Sequence, residues 1–442
     1  MLILSQVALL NGQEQKEEKK FGISFSGFVK NDFFYDTRQT VAAREGHFLL
    51  WPSPELKDSL GVDINDQANL NMLALQTRLS GKITGPDAFG AKTSGVIEGD
   101  FFAQANDNIN LFRLRHAFLK LNWKTTELLA GQYWNPLFVT GCFPGTVSFN
   151  TGTPLQSFGR NPQIRVSQSL GGLKIIGAVL AQRDFASRGA AGPSSIYLRN
   201  AGIPDLHLQL QYAVKNEEIN FSYLVGAGIA YKTIVPRISN TVVVSPETTE
   251  VELNLADTTA SIATTKEVSS DYSVDEKVSG LTVILYQNIS FKPLTIKMQY
   301  RYGENIADVL AISGIAIKEV TNTAIGEQSY TPFTSHTVWG DIHTNGKTWQ
   351  FGLFGGMLLN TGTKDPVTEV DIKNNVYGLA ANISSLIRIS PRIILNSGKV
   401  RFAFELEHTI ANYGSDYTDK YVPETTTTVS NTRALLSAYY FF

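Results

Sequence analysis

The chain has 442 residues, with 38 lysines and arginines against 40 aspartates and glutamates and a formal charge of -2 at pH 7. This balance excludes a bulk basic attraction to nucleic acid, and the single cysteine, Cys142, excludes an internal disulfide or a CxxC zinc knuckle. A hydrophobic fraction of 43% and a mean hydropathy of -0.07 resemble a soluble protein, but a transmembrane β-barrel has similar averages because alternation hides its lipid-facing half.

Met1–Gly12 is apolar at Leu2, Ile3, Leu4, Val7, Ala8, Leu9 and Leu10. It reads as the hydrophobic part of a secretory signal cleaved near Gly12, with the basic leader expected upstream of Met1; a frayed or partly buried terminal segment is the alternative. A short charged periplasmic lead, 13–20, follows, and 21–442 is expected to form one domain. No run of about 20 apolar residues supplies a spanning helix. The chain instead sorts in steps of two, the period at which strand side chains alternate between faces.

On Asn69–Thr84 the polar row is Gln76, Arg78, Ser80 and Lys82, and on Gly90–Ala105 it is Lys92, Ser94, Glu98 and Asp100. The next strand offers Arg113 and Arg115. Val139–Asn161 is rich in Gly, Pro, Phe and Thr and poor in charge; its Phe143, Val147, Phe149, Leu155 and Phe158 have no reason to sit in an exposed tip. Folded inward they would narrow the lumen, with Arg160 at the exit; a loop packed over a rim or a subunit contact is the plainer reading. Cys142, in this loop, reads as an inert packed thiol. Pro162–Leu170 then offers Arg165, Ser167 and Ser169.

Asp205–Lys215 sets Leu206, Leu208, Leu210, Tyr212 and Val214 against His207, Gln209, Gln211 and Lys215. Pro293–Gly303 sets Leu294, Ile296, Met298, Tyr300 and Tyr302 against Thr295, Lys297, Gln299 and Arg301. Val400–Ala411 opposes Val400, Phe402, Phe404, Leu406 and Ile410 to Arg401, Ala403, Glu405, Glu407 and Thr409. Each is long enough to cross a bilayer as a tilted strand. The last row, Ala434, Leu436, Ala438, Tyr440 and Phe442, runs to the final residue given.

The connections alternate between short and long. Gly171–Gly172, Asn216–Glu217, Lys292–Pro293, Asn345–Gly346 and Asn396–Gly398 are short. Thr37–Asn69, Val139–Asn161, Arg183–Pro204, Thr233–Glu276, Glu304–Thr334, Thr361–Asn374 and Asn412–Ser430 are long. Tight turns on one rim and long loops on the other predict an all-β fold, an antiparallel up-and-down transmembrane barrel of about 16 strands. A propeller or solenoid needs a fixed repeat, which is absent. Tyr35, Phe101, Trp123, Trp134, Tyr231, Tyr286, Tyr302, Trp339, Trp349 and Tyr377 fall near strand ends and are expected in interfacial girdles.

If the apolar rows face lipid, the lumen receives Arg78, Lys82, Arg113, Arg115, Arg160, Arg165, Lys297 and Arg301 as candidate pore-lining, anion-binding residues, with Glu98, Asp100, Glu405 and Glu407 as acidic partners. Arginines on neighbouring strands would attract anions by field focusing and bidentate contacts; wall salt bridges with Glu98 and Asp100 are the plainer reading, and both can hold. Six scattered histidines form no HExxH, and no GxSxG elbow is present, so no catalytic centre, metal site or cofactor is expected.

The block LFRLRHAFLKLNW, then LLAGQYWNP, TVSFNTGTP and RNPQIR, over about Leu111–Arg165, resembles the DcaP-like trimeric porins and, more faintly, the phosphate-selective porins O and P. The resemblance implies a sixteen-stranded homotrimer passing small anionic solutes such as dicarboxylates; a barrel of the bacterial outer membrane has that membrane's lipid and lipopolysaccharide as its expected surroundings. It carries over Arg115, Arg160 and Arg165, with Arg113 beside them, as pore residues. A terminal aromatic, here Phe442, resembles the signal read by the barrel assembly machinery. Only 13–20 precedes the first strand, so an expected trimer rests on barrel walls and loops. An outer-membrane barrel enzyme and an adhesin or structural barrel with a closed lumen are the competing expectations.

Overall fold

The alternating segments pair edge to edge until the first meets the last. In the computed structural model, which describes residues 21–103, 106–255 and 258–442, sixteen antiparallel strands close into a barrel. They are β1 (Gly22–Asp36), β2 (Asn69–Leu73 continued by Arg78–Thr84), β3 (Lys92–Asp100), β4 (Arg113–Asn122), β5 (Thr126–Trp134), β6 (Arg160–Leu170), β7 (Leu173–Leu180) and β8 (Asp205–Asn216). Then come β9 (Phe221–Ile234), β10 (Val278–Ser290), β11 (Leu294–Glu304), β12 (Glu327–Thr344), β13 (Trp349–Thr363), β14 (Ile383–Ser397), β15 (Val400–Tyr417) and β16 (Pro423–Phe441). The expected signal, 1–12, and lead, 13–20, lie outside the described residues.

Closure is a seam between β1 and β16. Phe28 pairs with Phe441 and Asp36 with Arg433, while the other edge of β1 pairs with β2 from Gly22 opposite Thr84 to Asp36 opposite Asn69. Closing the ring pairs both edges of each of the sixteen barrel strands among the described residues, which a backbone in hydrocarbon requires.

Burial is inverted relative to a soluble protein. Phe25, Leu79, Leu119, Ile164, Leu208 and Phe402 are exposed on the outside, whereas Lys30, Asp32, Arg115, Arg160, Arg388, Glu405 and Glu407 are buried within. An outer wall of this kind is stable against lipid and not against water. Tyr35, Phe101, Trp123, Tyr231 and Trp349 belong to the exposed set, Tyr302 and Tyr377 are partly buried, and the remaining three expected girdle aromatics face inward. Trp134, Tyr286 and Trp339 lie on inward rows, with Trp339 donating to Gln299 at 3.0 Å; strand parity, not nearness to a strand end, decides which way an aromatic points.

The expected loop at Asn412–Ser430 is also corrected. Thr425–Thr428 pairs with Tyr413–Ser415 and Asn412, so the strands run on and only 418–422 connects them; the β-branched threonines favour extended backbone. Residues 101–103 and 106–112, between β3 and β4, belong to a long-rim connection that the sequence did not signal. Within 233–276, Ser239–Leu255 and Thr258–Ser273 pair as a hairpin beyond the barrel.

Candidate functional site in the barrel lumen

Residues 135–159 lie inside the barrel, and inward side chains from around the wall fasten them chiefly by their backbone. The Glu405 carboxyl accepts from Val147 N–H at 2.7 Å and Ser148 N–H at 3.1 Å. Glu407 accepts from Asn150 at 2.9 Å, and Asp341 from Gly145 N–H at 3.2 Å. Cations take the carbonyls: Lys30 binds Val147 O at 3.2 Å, Arg388 binds Thr153 O at 2.6 Å and Arg301 binds Pro154 O at 3.2 Å. A loop buried away from water needs partners for its backbone groups, and these strands supply them. Cys142 is buried in the same segment, its thiol 3.1 Å from Gln287 O.

A second inward element was not anticipated. The hairpin Thr40–Ala43 with Phe48–Pro52, from the first long loop, also packs within the barrel. Phe48 meets Phe149 at 5.2 Å and Phe158 at 5.3 Å between ring centroids, Asn150 donates to Leu49 O at 3.1 Å, and Arg388 to Leu50 O at 2.5 Å. His47 reaches Asp32 at 2.5 Å; burial outweighs that carboxylate and holds the imidazole below its usual range. The run Phe48–Pro52, apolar without alternation, was the available signal.

The arginines gather on the wall formed by β2 to β6. β4 carries a β-bulge there: Glu98 pairs with His116 and Gly99 with Leu114, leaving Arg115 as the extra residue. Arg115 and His116 are thus both buried inward. Arg115 donates to Glu98 at 2.8 Å and to Asp100 at 2.9 Å, and Arg113 to Asp100 at 2.8 Å. Arg78 stands 3.7 Å from both carboxylates. Arg160 forks onto Asp184 at 3.0 and 2.5 Å, and Arg113 lies 3.8 Å from the same residue. Arg165 binds Gln163 and Trp134 O and lies 5.1 Å from the Tyr133 ring centroid. Lys82, further along the inward row of β2, is exposed.

Two members of this cluster were missed because they come from loops. Arg44, at the tip of the inward hairpin, donates to Ala103 O at 2.5 Å and shares the Phe102 ring with Arg113. Burial, then the neighbouring Arg113, pulls its guanidinium down to about 9. Burial opposes ionisation of Asp184, yet Arg160 and Arg113 outweigh it and hold the carboxyl below the usual range. Five guanidiniums (Arg44, Arg78, Arg113, Arg115, Arg160) therefore share Glu98, Asp100 and Asp184, while Arg165 stands on the same wall with partners of its own. Arg44 Nη1, Arg78 Nε, both Nη atoms of Arg113 and Arg160 Nη1 make no protein hydrogen bond.

The remaining expected site residues sit elsewhere. Arg301 is buried under the inward loop, with its two Nη groups donating to Ser157, Pro154 O and Thr337, so it holds the loop. Lys297 binds Phe143 O at 3.1 Å. Glu405 and Glu407 are equally buried and partner the loop, with Arg388 3.2 Å from Glu407, so they do not oppose the arginine wall. Among the described residues no group of three His, Cys, Asp or Glu side chains is arranged to hold a metal.

No family model matches the chain, and no curated protein matches it. Solved structures do. The outer membrane channel DcaP of Acinetobacter baumannii aligns with a TM-score of 0.64 at 15% identity, over 96% of this chain and 98% of that one. Outer-membrane expressed OmpT of Vibrio cholerae aligns at 0.51 and 9% identity, over 96% and 99%; in-vitro folded OmpT, described in a trimer form, aligns at 0.50 and 8%, over 96% and 100%. At these identities the likeness is one of fold, and the fold this chain shares with them is that of an outer-membrane barrel.

Proposed function

We propose that the protein is an outer-membrane porin of a Gram-negative bacterium, passing small hydrophilic solutes down their gradient with a preference for anions of the dicarboxylate kind. The observation that carries this reading is the charge imbalance on one lumen wall: five guanidiniums, those of Arg44, Arg78, Arg113, Arg115 and Arg160, beside the three carboxylates of Glu98, Asp100 and Asp184, with Arg165 further along the same wall. A low-dielectric wall with surplus fixed cations raises local anion concentration, and the planar N–H fork suits a carboxylate. Selectivity needs no covalent chemistry, and no catalytic role is assigned. Assembly as a homotrimer through the outer wall is part of the proposal, supported by the trimer form of a similar barrel.

A second reading has its own observation. Phe48, Trp51, Phe102, Phe149 and Phe158 belong to one apolar cluster inside the barrel, as a structural barrel with a closed lumen would have. Planar-bilayer recording separates the two. A porin gives discrete conductance steps, and in a potassium chloride gradient its reversal potential has the sign for chloride. Arg115→Ala with Arg165→Ala moves that potential toward zero. Absent steps establish the closed barrel, and a potential of the sign for potassium refutes the arginine argument.

A further inference from the structure

We propose that the short-turn rim carries a binding site for an anionic phospholipid headgroup, between turns 217–220, 291–293 and 345–348, away from the arginine wall. The turns there stand apart around a cleft of about 1150 Å³. Asn345, the first residue of the turn 345–348, ties that turn to 291–293 by donating to Phe291 O at 2.9 Å while its backbone N–H binds Pro293 O at 3.0 Å. The cleft is thus bounded by fixed backbone.

Three exposed lysines line it, Lys215, Lys292 and Lys347. Lys215 is paired with Glu217 at 2.7 Å; among the described residues Lys292 and Lys347 have no carboxylate within ion-pair distance. The charge left over is positive. Beside polar turn residues such as Asn216, Asn220 and Ser290, the lining holds the aromatic rings of Phe221, Phe291, Trp349 and Phe351. Trp349 is 50% and Phe351 53% exposed, and both stand on the outward row of β13, continuous with the apolar belt. Aromatic rings at the level where hydrocarbon gives way to water, with ammonium groups just beyond them, match the two halves of an anionic lipid: acyl chains and glycerol against the rings, phosphate against the lysines. A free phosphate would use the lysines and leave the rings without a role. Continuity with the lipid-facing wall therefore favours the lipid.

This inference rests on the membrane-embedded barrel and not on its solute preference. The test uses the refolded full chain in detergent with equal amounts of phosphatidylglycerol and phosphatidylcholine, the retained lipid being read by native mass spectrometry. The wild type is expected to retain phosphatidylglycerol roughly 10- to 30-fold over phosphatidylcholine, the scale of two surface lysines acting on one phosphate. Lys292→Gln with Lys347→Gln removes the preference, whereas Lys124→Gln, at the short turn 123–125 outside the cleft, keeps it. Single-channel conductance and reversal potential of the double variant match the wild type, which separates failure here from failure of the porin reading. No preference in the wild type, or an equal loss in Lys124→Gln, overturns the site. Displacement of the lipid by millimolar inorganic phosphate also overturns it, in favour of a free-anion site.

Discussion

Replacing Glu405 by glutamine tests whether the inward loop is held by the wall or merely rests against it. Each carboxyl oxygen of Glu405 takes one backbone N–H, Oε2 from Val147 and Oε1 from Ser148, in a site that is fully buried. Glutamine keeps one oxygen and turns an NH2 toward the second N–H, so one buried donor loses its acceptor. An orphaned buried donor costs about 2 kcal/mol, which raises the locally released population of 145–150 roughly 30-fold. The loop does not leave the lumen, because Asp341, Glu407, Arg388 and Arg301 still hold its flanks. Hydrogen exchange read by mass spectrometry on peptides covering 145–150 is the assay. Faster exchange there by about that factor is expected, with amides of β15 and β16 unchanged and, in bilayers, more frequent brief current fluctuations. Exchange equal to wild type in that segment would refute the fastening argument, and acceleration spread over the whole barrel would show that Glu405 acts on global stability instead.

Asp184→Asn removes the carboxylate that Arg160 and Arg113 share and raises the chloride-to-potassium permeability ratio read from reversal potentials; an unchanged ratio excludes Asp184 from the solute path. In the wild type the ionised Asp184 has a folded pKa below the unfolded 3.8, so its stabilisation is complete above pH 3.8 and disappears as pH falls through the folded value. Acid should therefore narrow the difference in unfolding midpoint between wild type and Asp184→Asn, and a constant gap from pH 7 to pH 3 contradicts this. Burial raises the Cys142 thiol to about 11, leaving about one thiolate in a thousand at pH 8, so maleimide labels the protein only after denaturation. Gly27→Val places a side chain 2.2 Å from Arg78 O and 2.7 Å from the Phe442 ring, at the seam where Gly27 and Phe442 exchange backbone hydrogen bonds at 3.2 and 3.1 Å. The heat-resistant compact band on gels should be lost, and its survival shows that the seam tolerates bulk.

The barrel was legible because its information is repeated. Every strand encodes inside and outside with period two, so an error on one, such as reading Thr425–Thr428 as loop, leaves the closed ring intact. Val400–Ala411 and Thr432–Phe442 display the alternation plainly, and their outward rows, Val400 to Leu406 and Leu436 to Phe442, are the exposed ones. The bulge in β4 shows the limit. Strict alternation sends His116 outward from RLRHA, but one extra residue opposite Glu98 and Gly99 reverses the parity beyond Arg115. No local residue signals this, because the bulge is a property of the pairing with β3.

The lumen was less legible for a different reason. Alternation says which side chains point inward but not which are already engaged, and engagement depends on loops whose paths carry no period. Arg301 and Arg115 look alike in sequence, each inward-facing on a barrel strand. One is covered by Pro154 and Ser157; the other stands with Arg78, Arg113 and Arg160 around too few carboxylates. Arg44 and Asp184 enter that cluster from two separate loops, contributing opposite charges. The charge balance of this wall is therefore a difference between wall and loop contributions, and a change in either loop alters it while every barrel strand stays in register.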